Sequence, residues 1–405
     1  MKPCQDLLSE LTTDASPGAW QTRRFQANLL DAADALLDLG PDLYTLRQLE
    51  MAFDRRRAIP AQVVIKLALS KRILCDLRDP YRFTVVVPLL ADHRRLLTPQ
   101  EHPQGEACLQ RKLEQLQWLF GSALWHDWRM ILVDDGCPDH SGRIARRQLL
   151  RLGRSRRAQV HFVERAGENR SHKGAAITLG LHQALAHWGT EHHLVMVSNA
   201  AIDVNLGQLG LLAQPMLAGR LWQVVGSRRL PYAVARQNAP NPEALLVEYL
   251  WRRMMPQLNG LGDPFSGFCG FRAQILASLL EGVTELGPAQ ALEWPLKAQL
   301  SEPDSIKEVA VAHLGQAEQG TVPALGPLPM LQAASRLYRR YLPQLPVSEQ
   351  FSTLVEGLDA PRWEALVGAM AGPLLAAAPE DLARRCLFSP QHLAARARVK
   401  LSRER

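Results

Sequence analysis

Apolar residues recur at helical spacing through the first eighty positions. RRFQANLLDAADALLDLG, residues 23–40, sets Leu29, Leu30, Ala33, Leu36 and Leu37 on one side of a helix and stops at Gly40-Pro41. YTLRQLEMAFDRRR (44–57) and AQVVIKLALSKRILCDL (61–77) continue in the same period, the second after Ile59-Pro60. From Tyr81 the pattern changes. RFTVVVP, WRMILVDDG, AQVHFVE, HHLVMVS and LWQVVGSRR read as strands, and SIKEVAVAHL at 305–314 extends the series. Between them LQRKLEQLQWLF, an Arg-rich stretch, KGAAITLGLHQALAHW and NLGQLGLLAQPML read as helices. Strands alternating with helices predict βαβ units and a mostly parallel sheet. From about residue 325 the chain is helical again, with breaks at LPQLPVS, APRW and FSPQ. The predicted plan is a helical N-terminal region at 1–80, an α/β domain at 81–325 and a helical C-terminal region at 326–405. The apolar faces of the terminal helices must be buried, which predicts that these regions pack on the α/β part.

Composition narrows the class. The chain has 405 residues, 47% of them hydrophobic, enough for a full core and for one large domain or two to three units. Its six cysteines are scattered with no Cys-x-x-Cys pair, so the expectation is free thiols in a reducing cytoplasm. No N-terminal stretch resembles a signal peptide, and the longest apolar run, 365–379, is short and broken by Pro373. A soluble, cytoplasmic protein is therefore expected. Net charge is +7, and the excess is uneven: residues 143–157 hold seven arginines and no acid, and 381–405 hold seven basic residues against two acids. Such patches can attract phosphates, nucleic acid or anionic lipid, but a solvated helix face is the first reading of both. Neither interleaves aromatics or carries a base-reading motif, so no nucleic-acid partner is expected. Peripheral membrane contact through the basic tail stays open.

The strand ends hold the chemistry. In an α/β sheet, ligands gather at the carboxyl ends of strands. VVVPLLAD puts Pro88 at such an end and Asp92 in the following loop; a proline there also simply stops a strand. In ILVDDGCPDHSG, Asp134 and Asp135 leave a buried strand, and a buried carboxylate needs a partner, either a ligand or the next turn. Lys173 opens a helix with Arg170 just upstream, an arrangement that favours a phosphate but also suits a surface turn. The strand HLVMVS ends in Asn199-Ala200-Ala201, with its first carboxylate at Asp203.

In this order the motifs resemble the family-2 glycosyltransferases of GT-A fold. VPLLAD (87–92), VDDGCPD (133–139), KGAA (173–176), VVGSRR (224–229) and DPFSGFCGFR (263–272) stand where that family has Val-Pro-x-x-x-Glu/Asp, Val-Asp-Asp-Gly-Ser, Lys-Gly-Gly-Ala, a familiar strand and an Asp-x-Gln-Cys-Gly-Phe-type segment. The similarity spans roughly 81–315. It implies a Rossmann-like, mostly parallel sheet and transfer of a sugar from a nucleotide-sugar donor to a hydroxyl acceptor. It also implies that Asp92 and Asp135 bind the nucleoside, that Lys173 lies near the ribose or diphosphate, and that Asp263 or Glu293 deprotonates the acceptor.

The family's Asp-x-Asp, which holds Mg²⁺ or Mn²⁺, is here Asn199-Ala200-Ala201. Asn199 keeps a hydrogen-bonding group, whereas Ala201 can ligate nothing. Three outcomes stay open. Asp203 takes over the metal; or Arg170, Lys173, Arg228 or Arg229 meets the diphosphate charge without metal; or the site is a nucleotide-binding relic with a regulatory or scaffolding role. In the metal-free case Asp203 caps the helix read at 205–217.

Overall fold

The computed structural model describes residues 1–11, 20, 22–53, 58–123, 125–136, 138–163, 173–235, 241–315, 326–342 and 345–403. In chain order its helices and strands are α1 (Lys2–Ser9), α2 (Arg23–Asp38), α3 (Leu43–Ala52), α4 (Ile59–Asp76), β1 (Arg82–Leu89), α5 (His93–Leu96), α6 (Cys108–Phe120), β2 (Asp127–Asp134), α7 (Ser141–Arg151), β3 (Ala158–Phe162), α8 (Lys173–Trp188), β4 (His193–Ser198), α9 (Leu209–Ala218), β5 (Gln223–Ser227) and β6 (Val234–Ala235). They continue as α10 (Pro242–Met254), β7 (Phe268–Arg272), α11 (Ala273–Leu280), α12 (Gln290–Ser301), β8 (Ile306–Ala310), β9 (Ala312–His313), α13 (Pro327–Tyr341), α14 (Pro346–Glu356), α15 (Ala360–Ala376), α16 (Pro379–Arg384) and α17 (Pro390–Arg403). No helix among the described residues is long and apolar enough to cross a membrane.

The chain forms two compact units: residues 1–236 with 262–281 and 304–316, and residues 237–261 with 282–303 and 317–405. These divisions do not coincide with sequence boundaries at 80 and 325. The first unit is built on a seven-stranded sheet of order β3-β2-β1-β4-β7-β5-β8, with a two-stranded β6-β9 sheet beside it. All neighbours in the large sheet run parallel except β7, which is antiparallel to both β4 and β5. The mostly parallel α/β sheet flanked by helices, expected from the sequence, is thus present. β1 and β4 are buried along almost their whole length, as strands covered on both faces must be. Helix α8 crosses β1 so closely that a Cβ on Gly180 would lie 2.4 Å from a Val86 methyl. The antiparallel β7 has no counterpart among the expected strands: its run FCGFR is short and carries Gly270, and pairing on both sides makes it a strand.

The N-terminal helices belong to this same unit. Leu29, Leu36, Leu46, Val64 and Leu67 share one apolar cluster with Leu211 of α9, Val234 of β6 and Ala312 of β9. Helix α4 is buried around most of its circumference, and Lys66 within it donates to Glu50 Oε1 at 2.7 Å and to the Ala310 carbonyl at 3.1 Å. The second unit is helical. There α10 packs against α13, α14 and α15, and α15 against α17, around buried Tyr249, Trp251, Tyr338 and Phe351.

Candidate active site

The parallel strands β1, β2 and β4 end together, and most of the sequence-predicted residues of the first unit lie there. Pro88 is buried within β1, opposite Val133 of β2. The chain leaving β1 brings Asp92 to a buried position at the start of α5. Its carboxylate accepts from the Leu90 N–H at 2.8 Å and from Arg95 at 2.6 Å. Burial raises the Asp92 pKa, against the opposing pull of Arg95, the Leu90 N–H and Lys173. At the end of β2 the two acids separate in role. Asp134 accepts from the Gly136 N–H at 2.7 Å and the Gly142 N–H at 2.5 Å, fastening the turn and the start of α7. Asp135 is fully buried, and its own N–H continues the β1–β2 pairing by donating to the Leu89 carbonyl.

Lys173 and Asn199 meet. Lys173 is the first residue of α8, and its Nζ donates to Asn199 Oδ1 at 2.7 Å. Burial lowers the Lys173 pKa, while the nearby carboxylates of Asp92 and Asp203 push it back up. Asn199 is also fixed from the other side: a Cβ on Gly267, which has φ +70°, would stand 2.2 Å from its Nδ2. The antiparallel strand β7, whose Phe268 pairs with Ser198, is what brings Gly267 there.

Three charged groups of this cluster escape a sequence reading. Arg95 joins Asp92 and lies 3.6 Å from Glu106. Glu106 Oε2 accepts from the Ile202 N–H at 3.4 Å, and burial raises its pKa. Lys112, on α6, is buried and donates from Nζ to Ser198 Oγ at 3.2 Å, with its pKa lowered by burial. Period and spacing cast Lys112 as one polar residue of an amphipathic helix; only the fold shows that it points at the end of β4.

Asp203 stands apart from the role of helix cap. Asn205 does that work, accepting from the Gly207 N–H at 2.8 Å. The Asp203 carboxylate lies 3.2 Å from His313 Nε2 of β9 and accepts from the Val204 N–H at 2.9 Å. Burial would raise its pKa, but the His313 hydrogen bond and charge, with Lys112, hold it well below the usual carboxylate range. Arg170 lies outside the described residues.

The two acids expected to serve as the acceptor's base are both engaged. Asp263 receives Arg228 through Nε at 2.7 Å, Nη2 at 2.6 Å and the backbone N–H at 2.9 Å. Burial pushes its pKa up, but Arg228 outweighs this and holds it low. Arg228 is therefore committed to Asp263. Glu293 lies in the second unit, fully buried in the first turn of α12. It accepts from the Thr284 N–H at 3.0 Å, the Glu285 N–H at 2.8 Å and the Tyr341 hydroxyl at 2.7 Å.

A divalent metal finds little to hold it. Among the described residues no group of three or more His, Cys, Asp or Glu side chains is placed around a common point. Asn199 Oδ1 takes an ammonium, Ala201 offers no donor, and the Asp203 carboxylate faces His313. Hard cations want several oxygen ligands, preferably anionic, and this turn does not fit one.

No family model matches the chain, and no curated protein does. Among solved structures it is similar to glucosyl-3-phosphoglycerate synthase from Mycobacterium tuberculosis in complex with UDP, at 16% identity and TM-score 0.45, covering 68% of this chain and 83% of that one. It is similar to mannosyl-3-phosphoglycerate synthase from Rubrobacter xylanophilus at 15% identity and TM-score 0.40, covering 68% and 78%. It is also similar to a mannosyltransferase from Pyrobaculum calidifontis, in complex with GDP-Man and Mn²⁺, at 16% identity and TM-score 0.31, covering 89% and 100%. All three TM-scores lie below 0.5, so these likenesses decide nothing about the chemistry of this chain.

Proposed function

We propose that this protein is a GT-A-type glycosyltransferase that moves a sugar from a nucleotide-sugar to a hydroxyl acceptor and meets the diphosphate charge with lysine rather than with a metal bound by an Asp-x-Asp turn. The observation that supports this best is the Lys173–Asn199 contact of 2.7 Å at the joint ends of β1, β2 and β4. It puts a half-buried ammonium on the residue that stands in the place of the first metal-turn acid. Lys112, which donates to Ser198, adds a second cation, and this one is buried. Fixed cations in a water-poor site stabilise a leaving diphosphate as a metal does. Asp92 and Asp135 then hold the nucleoside, with Pro88 and Asn199 lining the same strand ends and Asp203 outside the set of phosphate ligands. Five free thiols among the described residues suit a reducing, cytoplasmic setting.

A second reading is favoured by a specific observation. Asp263 is locked by Arg228, and Glu293 by Thr284, Glu285 and Tyr341, so each acid expected to act as base already has a structural task. A nucleotide-binding protein without transfer activity would look the same. Thermal shift with UDP, GDP, ADP, CDP and dTDP, in EDTA and in Mn²⁺, tests the pocket, because a ligand of the folded state raises its stability. The proposal expects stabilisation by at least one nucleotide, retained in EDTA. No shift with any of them sinks both readings. Release of nucleotide from a nucleotide-sugar by the same protein then selects the transferase over the binder.

A further inference from the structure

Helix α7 presents a surface that neither reading uses. Its inner face is buried through Ala145 and Leu149. Its outer face, with the turn that follows, exposes Arg143, Arg146, Arg147, Arg151, Arg154 and Arg156, none of them in an ion pair among the described residues. The seventh arginine of the run behaves differently: Arg157 pairs with Asp127 and covers the Trp128 ring at 5.3 Å. A Leu lies among these arginines. At 3.6 residues per turn, position 150 projects between positions 143 and 146, and Leu150 is 66% exposed. Leu152, at the end of the helix, and Phe162, at the end of the edge strand β3, are exposed as well.

We propose that this face docks on an anionic lipid surface. Like charges crowded along one helix repel each other, and a sheet of lipid phosphates relieves that repulsion across the whole row at once. The exposed leucines favour this partner over nucleic acid, since basic helices with apolar tips sink those tips into the headgroup boundary. Helix α7 starts beside Asp134 at the carboxyl end of β2 and packs on β2 and β3, so the row of arginines begins near those strand ends at Arg143 and continues along the helix to Arg151.

The test is sedimentation of the full-length protein with vesicles of phosphatidylcholine alone and of phosphatidylcholine with about one-third phosphatidylglycerol, with duplex RNA as competitor. The wild type is expected to sediment only with the anionic vesicles and to be released by high salt. Each arginine near such a surface contributes roughly fivefold in partitioning, so R146Q/R147Q should weaken association by about twenty-five-fold. L150S, an exposed change that leaves the fold intact, should weaken it several-fold at the low salt at which the wild type binds. Failure to bind anionic vesicles, equal binding to neutral ones, or full binding by R146Q/R147Q overturns the proposal. Arginine-dependent binding that L150S leaves unchanged and duplex RNA abolishes assigns the face to nucleic acid, and overturns it too.

Discussion

Replacing Lys173 by methionine separates what this lysine does for a ligand from what it does for the fold. The side chain is half-buried, and its Nζ contacts Asn199 Oδ1 at 2.7 Å with the Asp92 and Asp203 carboxylates nearby. Methionine keeps the length and removes the charge. For the free protein the two consequences oppose each other. Asn199 loses a charged donor, worth about 1.5–3 kcal/mol. The burial cost of an ammonium, which already drags its pKa down, disappears as well. Exchanging a buried charge for an apolar group of similar volume is often neutral or stabilising. A change in unfolding free energy within about 1.5 kcal/mol is therefore expected from urea titration. A bound nucleoside diphosphate has no such compensation. Losing one charge-assisted contact of about 1.5–3 kcal/mol weakens binding by roughly 10- to 150-fold.

The same site makes a pH signature. Lys173 has a lowered pKa before ligand arrives. A bound diphosphate raises it, so the complex holds more protons than the free protein. Affinity must then fall as pH rises between the free and bound values, with proton uptake on binding. Lys112 contributes in the same direction, being lowered by the same cause. Calorimetry of the best nucleotide in buffers of different ionisation enthalpy measures both quantities. K173M should lower the affinity and flatten its fall with pH. Unchanged affinity in K173M would refute the assignment of Lys173 to the phosphates. A loss of more than about 3 kcal/mol of stability with no loss of affinity would make the lysine structural.

Three further outcomes follow from the geometry. G267A puts a Cβ at φ +70° and 2.2 Å from Asn199 Nδ2, so urea unfolding should show a loss of about 2–4 kcal/mol. In the first unit E50Q alone should cost about 3–5 kcal/mol in the same assay, since it leaves the buried Lys66 ammonium without its carboxylate; K66M should cost less, because Arg47 still pairs with Glu50 at 2.9 Å, and the double variant E50L/K66M should recover most of the E50Q loss. The lowered pKa of Asp263 supplies stability that is complete above the unfolded value of about 3.9 and is lost as pH falls through the folded value; R228L should therefore lower stability at neutral pH and soften the acid limb of the stability curve.

Long periodic segments are legible in the sequence itself. β1, β2 and β4 lie where β-branched runs predict them, and α2, α4 and α8 where apolar spacing does. What escapes depends on contacts between distant residues. β7 has no strand signal of its own beyond FCGFR; β4 and β5 make it a strand by pairing on both sides. The Asp203–His313 contact joins positions far apart in sequence, and no local pattern announces it. Lys112 looks like any polar helix residue until Ser198 is beside it. Asp263 and Glu293 show the opposite case. Each is visible as an acid at a plausible position, but Arg228 and the Thr284–Glu285 turn, which occupy them, come from the tertiary fold.

The charge at position 199 can be set against that of Lys173. With an aspartate there, the lysine and the acid would neutralise each other, and a diphosphate would need a metal to bring positive charge. With asparagine, the amide accepts the ammonium at 2.7 Å without cancelling it, so the positive charge stays with the site. N199D alone should then weaken nucleotide binding in EDTA. Two unit charges about 4 Å apart interact by about 4 kcal/mol at the effective dielectric of a protein surface, so even a quarter of that costs about fivefold in affinity. N199D alone should not create strong metal binding, because Ala201 still offers no ligand. N199D/A201D supplies both acids, and its affinity should recover in millimolar Mn²⁺ but not in EDTA. Calorimetry of wild type, single and double variants under both conditions gives the six values that decide it. If N199D binds nucleotide in EDTA as tightly as the wild type, the lysine's charge is not what the diphosphate meets. If wild-type binding itself collapses in EDTA and D203A reproduces the collapse, Asp203 holds a metal and the lysine-based reading of this turn fails.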